Sequence, residues 1–63
     1  MNKTRVLIKS NSPNGEWEYA TGDEGTVDGY CRGGDGVPYA VVIKDRDSGF
    51  AMVPLTALVC LNN

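Results

Sequence analysis

The segment YAVVIKDRDSGFAMV at residues 39–53 decides the fold of this 63-residue chain. Residues 39–44 form a β-branched run, the strongest strand signal in the sequence, and this composition favours a central position in a sheet. DRDSG at 45–49 is typical of a hairpin turn, because Asp and Ser form local hydrogen bonds and Gly49 can adopt a positive φ. Residues 50–53 then return as the partner strand, so the segment predicts an antiparallel hairpin.

Two further strands are predicted on the N-terminal side of this hairpin. Residues 4–10, TRVLIKS, place Val6 and Ile8 on one face, which is the period-two pattern of a half-buried strand. Residues 25–31 favour a second strand, in which Gly29 marks a bend or bulge. Between these strands lies a long loop in which Pro13, Gly15 and Gly22 exclude a long helix. So long a loop in a small domain is usually functional or packed on itself.

The C-terminal part of the chain predicts a short helical turn and a last strand. Pro54 ends the fourth strand because proline cannot donate to a sheet ladder. PLTAL at 54–58 is long enough for one turn of 3₁₀ helix, and residues 59–61 close the chain as a fifth short strand. The chain is therefore expected to form one domain over residues 1–63. Its predicted core consists of Val6, Ile8, Val27, Val41, Ile43, Ala51, Val53, Leu55, Leu58 and Leu61.

The predicted order of elements resembles that of the SH3-like small β-barrel. The resemblance rests on RVLI at 5–8, EGTVDGY at 24–30, PYAVVIKD at 38–45 and VPLTALVCL at 53–61. This skeleton is similar to the peripheral SH3-like subunit of photosystem I and to barrels of KOW type. The resemblance implies an all-β, five-stranded barrel with a long first loop and a one-turn 3₁₀ helix before the last strand.

Catalysis is not predicted for this chain. It contains no histidine, the commonest general base, and it is too short to wall a cleft between paired carboxylates such as Glu16 and Glu18. The D-x-D-x-G pattern at 45–49 lacks the later Glu of a calcium loop. GGDG at 33–36 lacks the G-K-[ST] ending of a phosphate loop and predicts a hairpin tip. We therefore expect no catalytic residue, metal site or cofactor.

The cysteines and the N-terminus predict a cytoplasmic protein. Residues 1–10 show no apolar signal-peptide segment, because charged residues interrupt them. No apolar run approaches the length needed to span a membrane. Cys31 and Cys60 are interpreted as buried thiols, with one disulfide between them as the alternative. The expected oligomeric state is a monomer or a small homo-oligomer.

The charge distribution favours a protein partner over nucleic acid. The net charge is −2, whereas nucleic-acid binders usually carry a basic excess. An acidic lobe steers basic partners and repels nucleic acid, although a merely solubilising face is the alternative. The lobe lies between residues 16 and 35, where Arg32 is the only base and the acids are Glu16, Glu18, Asp23, Glu24, Asp28 and Asp35.

The sequence therefore predicts a non-enzymatic protein-binding module. Such a chain would serve as an accessory subunit or as a small phage-encoded inhibitor or modulator of a larger protein. Aromatic side chains beside acids are plausible anchors for a basic partner surface, although Trp17 as a lid over an open end of the barrel is the alternative. The predicted partner-binding residues are Trp17, Tyr19, Tyr30, Glu16, Glu18, Asp23 and Glu24.

Two other functions follow from the resemblance. A KOW-type barrel would associate with nucleic acid or ribonucleoprotein, and its affinity would fall steeply as salt rises. The photosystem resemblance would imply an accessory subunit of an electron-transfer complex, although the chain offers no cofactor ligand. The residues available for phosphate contact are Lys3, Arg5, Lys9, Lys44 and Arg46.

Overall fold

The computed structural model describes residues 3–61, which form one five-stranded antiparallel sheet and one turn of 3₁₀ helix. This architecture confirms the predicted all-β class, the number of strands and the short helix before the last strand. The elements are β1 (Arg5–Ile8), β2 (Glu24–Arg32), β3 (Pro38–Lys44), β4 (Phe50–Pro54), the 3₁₀ helix (Leu55–Ala57) and β5 (Leu58–Cys60).

The strands are ordered β4-β3-β2-β1-β5 across the sheet. Strands β1 to β4 are joined as neighbours in chain order, and β5 returns to the far edge to pair with β1. Within residues 3–61 no ladder joins β4 to β5. The sheet is therefore not closed by hydrogen bonds, and the predicted barrel is not confirmed.

A bulge bends the longest strand, β2. The register with β3 shifts between Val27, which pairs with Val42, and Gly29, which pairs with Val41. This confirms the predicted irregularity at Gly29, since a bulge inserts one residue and increases the local twist. The first part of β2 pairs with β1 as well as β3, whereas the part after the bulge pairs with β3 alone.

The buried face of β3 is the opposite of the predicted one. Val42 and Ala40 are completely buried, whereas Val41 and Ile43 are only partly buried. A run of consecutive apolar residues has no alternation, so the period-two rule cannot choose its inward face. The hairpin register makes the choice, because it places Val42 opposite Ala51.

The C-terminal leucines contribute less to the core than predicted. Leu55 and Leu61 are exposed, Leu58 packs at the margin of the core, and the small Ala57 is the buried residue of the 3₁₀ helix. The helix is a single turn, so only one of its three side chains points at the sheet. The core observed in the structure consists of Val6, Ile8, Tyr19, Val27, Ala40, Val42, Ala51, Val53 and Ala57.

The turn between β3 and β4 is closed by local hydrogen bonds. The Ser48 N–H donates to the Lys44 carbonyl at 2.9 Å, and the Gly49 N–H donates to Asp47 Oδ1 at 2.9 Å. The residue with positive φ is Ser48, at 60°, and not Gly49 as predicted. The turn closes at Ser48, whose N–H bonds to the Lys44 carbonyl, and the left-handed residue lies there, one position before Gly49.

The two cysteines are free thiols. The disulfide alternative is therefore wrong, but the expectation of burial is also wrong, because Cys31 is partly buried and Cys60 is exposed. Over residues 3–61, no helix is long and apolar enough to cross a membrane.

Candidate functional site

The first loop, residues 9–23, folds back on itself as a compact unit. Its base is closed by the Gly22 N–H, which donates to the Ile8 carbonyl at 2.9 Å. Higher up, the Ser12 N–H donates to the Tyr19 carbonyl at 2.9 Å. The Thr21 N–H donates to the Asn11 side-chain oxygen at 2.8 Å. These bonds across the loop give residues 13–18 a defined position at its tip.

Two cations from the opposite hairpin hold this tip in place. Lys44 Nζ donates to the Trp17 carbonyl at 3.4 Å. Arg46 Nη2 donates to the Glu16 carbonyl at 2.8 Å and to the Trp17 carbonyl at 3.3 Å. Lys44 is only 4% exposed, and its ammonium also pairs with Asp47 Oδ2 at 3.2 Å. A buried cation is costly unless it is paired, so this contact joins the tip firmly to the hairpin.

The Trp17 side chain remains exposed although its backbone is held. The residue is 74% exposed, so the interpretation of Trp17 as a lid over the core is wrong. Its indole lies close to Gly15, where an added Cβ would come within 2.7 Å of the indole Cδ1 and Nε1 atoms. Gly15 also adopts a φ of 128°, a conformation that L side chains rarely adopt. The loop therefore presents a large aromatic surface on a fixed support.

Tyr19 does not belong to the exposed surface, contrary to the prediction. It is 3% exposed and lies within the hydrophobic core. Burial, followed by the nearby Glu18 carboxylate, raises the pKa of its phenol. The two aromatic residues of the loop thus have different roles, since Tyr19 anchors the loop to the core and Trp17 faces solvent. The alternation of polar and aromatic residues in the sequence could not separate them.

Only part of the predicted acidic set surrounds Trp17. Asp23 is an internal group, because its carboxylate accepts the Ala20 N–H at 2.9 Å and lies 3.3 Å from Arg46 Nε. Glu24 is exposed but begins β2, away from the loop tip. Glu16 is exposed beside Trp17 in the chain, and Glu18 is partly exposed. The Asp23 carboxylate is therefore mostly occupied by partners within the protein.

Tyr30 is exposed but lies far from Trp17. It pairs with Ala40 near the start of β3, whereas the Trp17 carbonyl contacts Lys44 at the end of that strand. Four residues of strand separate these points by about 13 Å. The structure therefore does not bring the predicted aromatic anchors together on one surface. Tyr30 instead borders an open apolar cleft of about 220 Å³. Its other lining residues are Thr4, Val6, Val27, Ala40, Leu55, Leu58 and Cys60.

Most cations considered for phosphate contact already have carboxylate partners. Lys3 lies 3.5 Å from Asp28, and Arg5 Nη1 donates to Asp45 Oδ1 at 2.9 Å. This hydrogen bond holds the pKa of Asp45 below its usual value and raises that of Arg5. Lys44 and Arg46 pair with Asp47 and Asp23, as described above. Lys9 alone of the five has no ion pair with a residue in the described range.

The sequence offers Lys44 and Arg46 for phosphate contact, whereas in the structure they contact the first loop. They position the loop tip, because the buried Lys44 ammonium and the exposed Arg46 guanidinium both contact its backbone carbonyls. Phe50 and Met52 were missed as exposed residues. The alternation in FAMVP, with Ala51 and Val53 inward, carried the signal that could have found them.

Side chains that could bind a metal ion are not clustered in the part of the chain that the structure describes. Among residues 3–61, no group of three or more His, Cys, Asp or Glu side chains is placed to hold a metal ion. No protein-family model matches the chain, and neither a curated protein nor a solved structure matches it.

Proposed function

We propose that the chain is a non-enzymatic protein-binding module that recognises its partner through the tip of the first loop. Trp17 is the anchor of this surface, and Glu16 and Glu18 are the acids beside it. One observation carries the proposal: a tryptophan that is 74% exposed sits on a backbone held by two cations of another hairpin.

The energetic reasoning favours binding over a purely structural role for Trp17. An exposed indole contributes little to folding, because it buries little apolar area. In a protein interface, however, Trp is enriched among the residues that contribute most of the binding energy. Holding the loop tip before binding reduces the entropy that is lost when the complex forms. The arrangement therefore suits the capture of a partner that offers an apolar pocket.

The charges indicate the chemistry of the partner surface. Glu16 and Glu18 lie on either side of Trp17 in the chain, and the cations that hold the tip contact backbone carbonyls and carboxylates. A pocket bordered by Lys or Arg would match these acids and would gain in association rate. Such a module would act as an accessory subunit or a small modulator of a larger protein. We include in the proposal an SH3-like barrel, which the strand order supports, and a cytoplasmic location, which the free thiols support.

The proposal is tested by capture of partners on the immobilised protein, using extract from the cell that produces it. Trp17→Ala is expected to lose at least nine-tenths of a specifically retained protein, since loss of an anchor costs about 2 kcal/mol or more. Phe50→Ala is the matched control, because Phe50 is 72% exposed and lies on β4 rather than at the loop tip. Both variants should keep the circular dichroism spectrum of the parent chain.

Equal retention by the parent chain and Trp17→Ala would contradict the proposal, as would loss in the control alone. Loss of the retained partner in moderate salt, together with binding of the chain to heparin at low salt, would instead favour the nucleic-acid function.

A further inference from the structure

Strand β4 forms one edge of the sheet, and Pro54 at its end is the only residue in it of a kind that protects edges. It pairs with β3 on one side and with no described strand on the other. Natural proteins usually protect a free edge with charged side chains or cover it. The sequence of β4, FAMVP, contains no charge, and its exposed side chains are Phe50 and Met52. This edge is therefore suited to accept another strand.

The register shows which backbone groups are available along the edge. The Lys44 N–H donates to the Gly49 carbonyl at 2.8 Å, and the pairs beyond it alternate between bonded and non-bonded. Ala51 and Val53 therefore bond to β3, whereas the N–H and C=O groups of Phe50 and Met52 point away from the sheet. None of these outward groups bonds to another part of the described chain.

We propose that β4 pairs antiparallel with β4 of a second copy, related by a two-fold axis that passes between the two Met52 residues. This register places Met52 opposite its own equivalent and Phe50 opposite Pro54 of the second copy. Each Met52 N–H would donate to the opposite Met52 carbonyl, and each Phe50 N–H to the opposite Pro54 carbonyl. Pro54 has no N–H and cannot donate a hydrogen bond to the second copy, so the proposed pairing ends at this residue.

The second copy is favoured as the occupant because the register is self-complementary. The outward side chains that meet are Phe50, Met52 and Pro54, all of them apolar. The paired segments, residues 50–54, carry no charge, so no like charges meet within the ladder. On the same outer face, Val41 and Ile43 lie beside Met52 and Phe50. Pairing would therefore join two apolar faces into one.

The test is sedimentation velocity of the purified chain from about 10 µM to 1 mM, a range that covers the weak affinity expected of so small an interface. We expect a concentration-dependent monomer–dimer equilibrium. Met52→Lys should weaken it at least tenfold, because it places two like charges together at the axis. Val59→Lys on β5, the other edge, is the matched control, since Val59 is 40% exposed and Met52 is 46% exposed. It should dimerise like the parent chain, as should Trp17→Ala.

Amide hydrogen exchange of the parent chain gives an independent readout that does not depend on a variant folding. The Phe50 and Met52 amides should become protected as the concentration rises. A monomer at 1 mM would overturn the proposal, and so would association that leaves these two amides unprotected. A dimer weakened by Val59→Lys would overturn the proposal, because the contact would then lie at β5. A dimer that Met52→Lys leaves unchanged would also overturn it, because the contact would then lie on a surface other than β4.

Discussion

Trp17 at the tip of the first loop and Phe50 at the start of β4 are exposed almost equally, at 74% and 72%, but for different reasons. Phe50 faces solvent because strand residues alternate and Ala51 takes the inward position. Trp17 faces solvent because a loop without regular structure is held by Lys44 and Arg46. Exposure on a strand is a consequence of the fold, whereas exposure at a fixed loop tip needs specific contacts. This difference is our reason for assigning partner recognition to Trp17.

The largest expected effect separates the two aromatic residues of the loop. Tyr19→Ala should lower the free energy of unfolding by about 3 kcal/mol or more, because it removes a buried aromatic ring. A domain of this size has on the order of 3–5 kcal/mol to lose, so the variant should be largely unfolded at 25 °C. Trp17→Ala should change stability by no more than about 0.5 kcal/mol. Urea denaturation measures both values.

If Trp17→Ala lowered the free energy of unfolding as much as Tyr19→Ala, Trp17 would also support the fold. The contrast between a structural Tyr19 and a recognition residue at position 17 would then fail.

An intermediate effect is expected from Gly15, which lies beneath the indole. Gly15→Ala should cost about 1–2 kcal/mol from the positive φ and should also displace the indole. Gly22→Ala is the matched control, because Gly22 has a φ of 95° but no atom within 4 Å of an added Cβ. Trp17 is the only tryptophan, so its fluorescence emission should shift in the first variant and not in the second. Identical spectra would mean that Gly15 does not set the position of the indole.

The smallest expected effect concerns Asp47, in the turn between β3 and β4. The Gly49 N–H, followed by the Lys44 ammonium, holds the pKa of Asp47 below its ordinary value of 3.8. A lowered folded-state pKa contributes stability that is fully present above the unfolded value and is lost as pH falls through the folded one. The melting temperature should therefore decline below about pH 4. In Asp47→Asn this decline should be shallower, and an unchanged slope would contradict the assignment.

Local residue preferences were sufficient to predict much of the architecture. The hairpin at 39–53, the irregularity at Gly29 and the 3₁₀ turn after Pro54 each depend on a few adjacent residues with strong conformational preferences. The candidate site was predicted less well. Trp17 and Glu16 are exposed, as the prediction of a surface role requires, whereas Tyr19 is buried and Asp23 is mostly buried. Sequence reasoning did not separate these residues, since aromatic and acidic residues in a loop look alike in sequence.

The sequence alone determined that this chain is a small all-β domain, because β-branched runs separated by turn residues can form little else. Only the tertiary structure decided which face of β3 is buried, where Tyr19 lies and how Trp17 is held. These features depend on strand register and on contacts between distant residues. Lys44 and Trp17 are 27 positions apart, and no local pattern records that one supports the other.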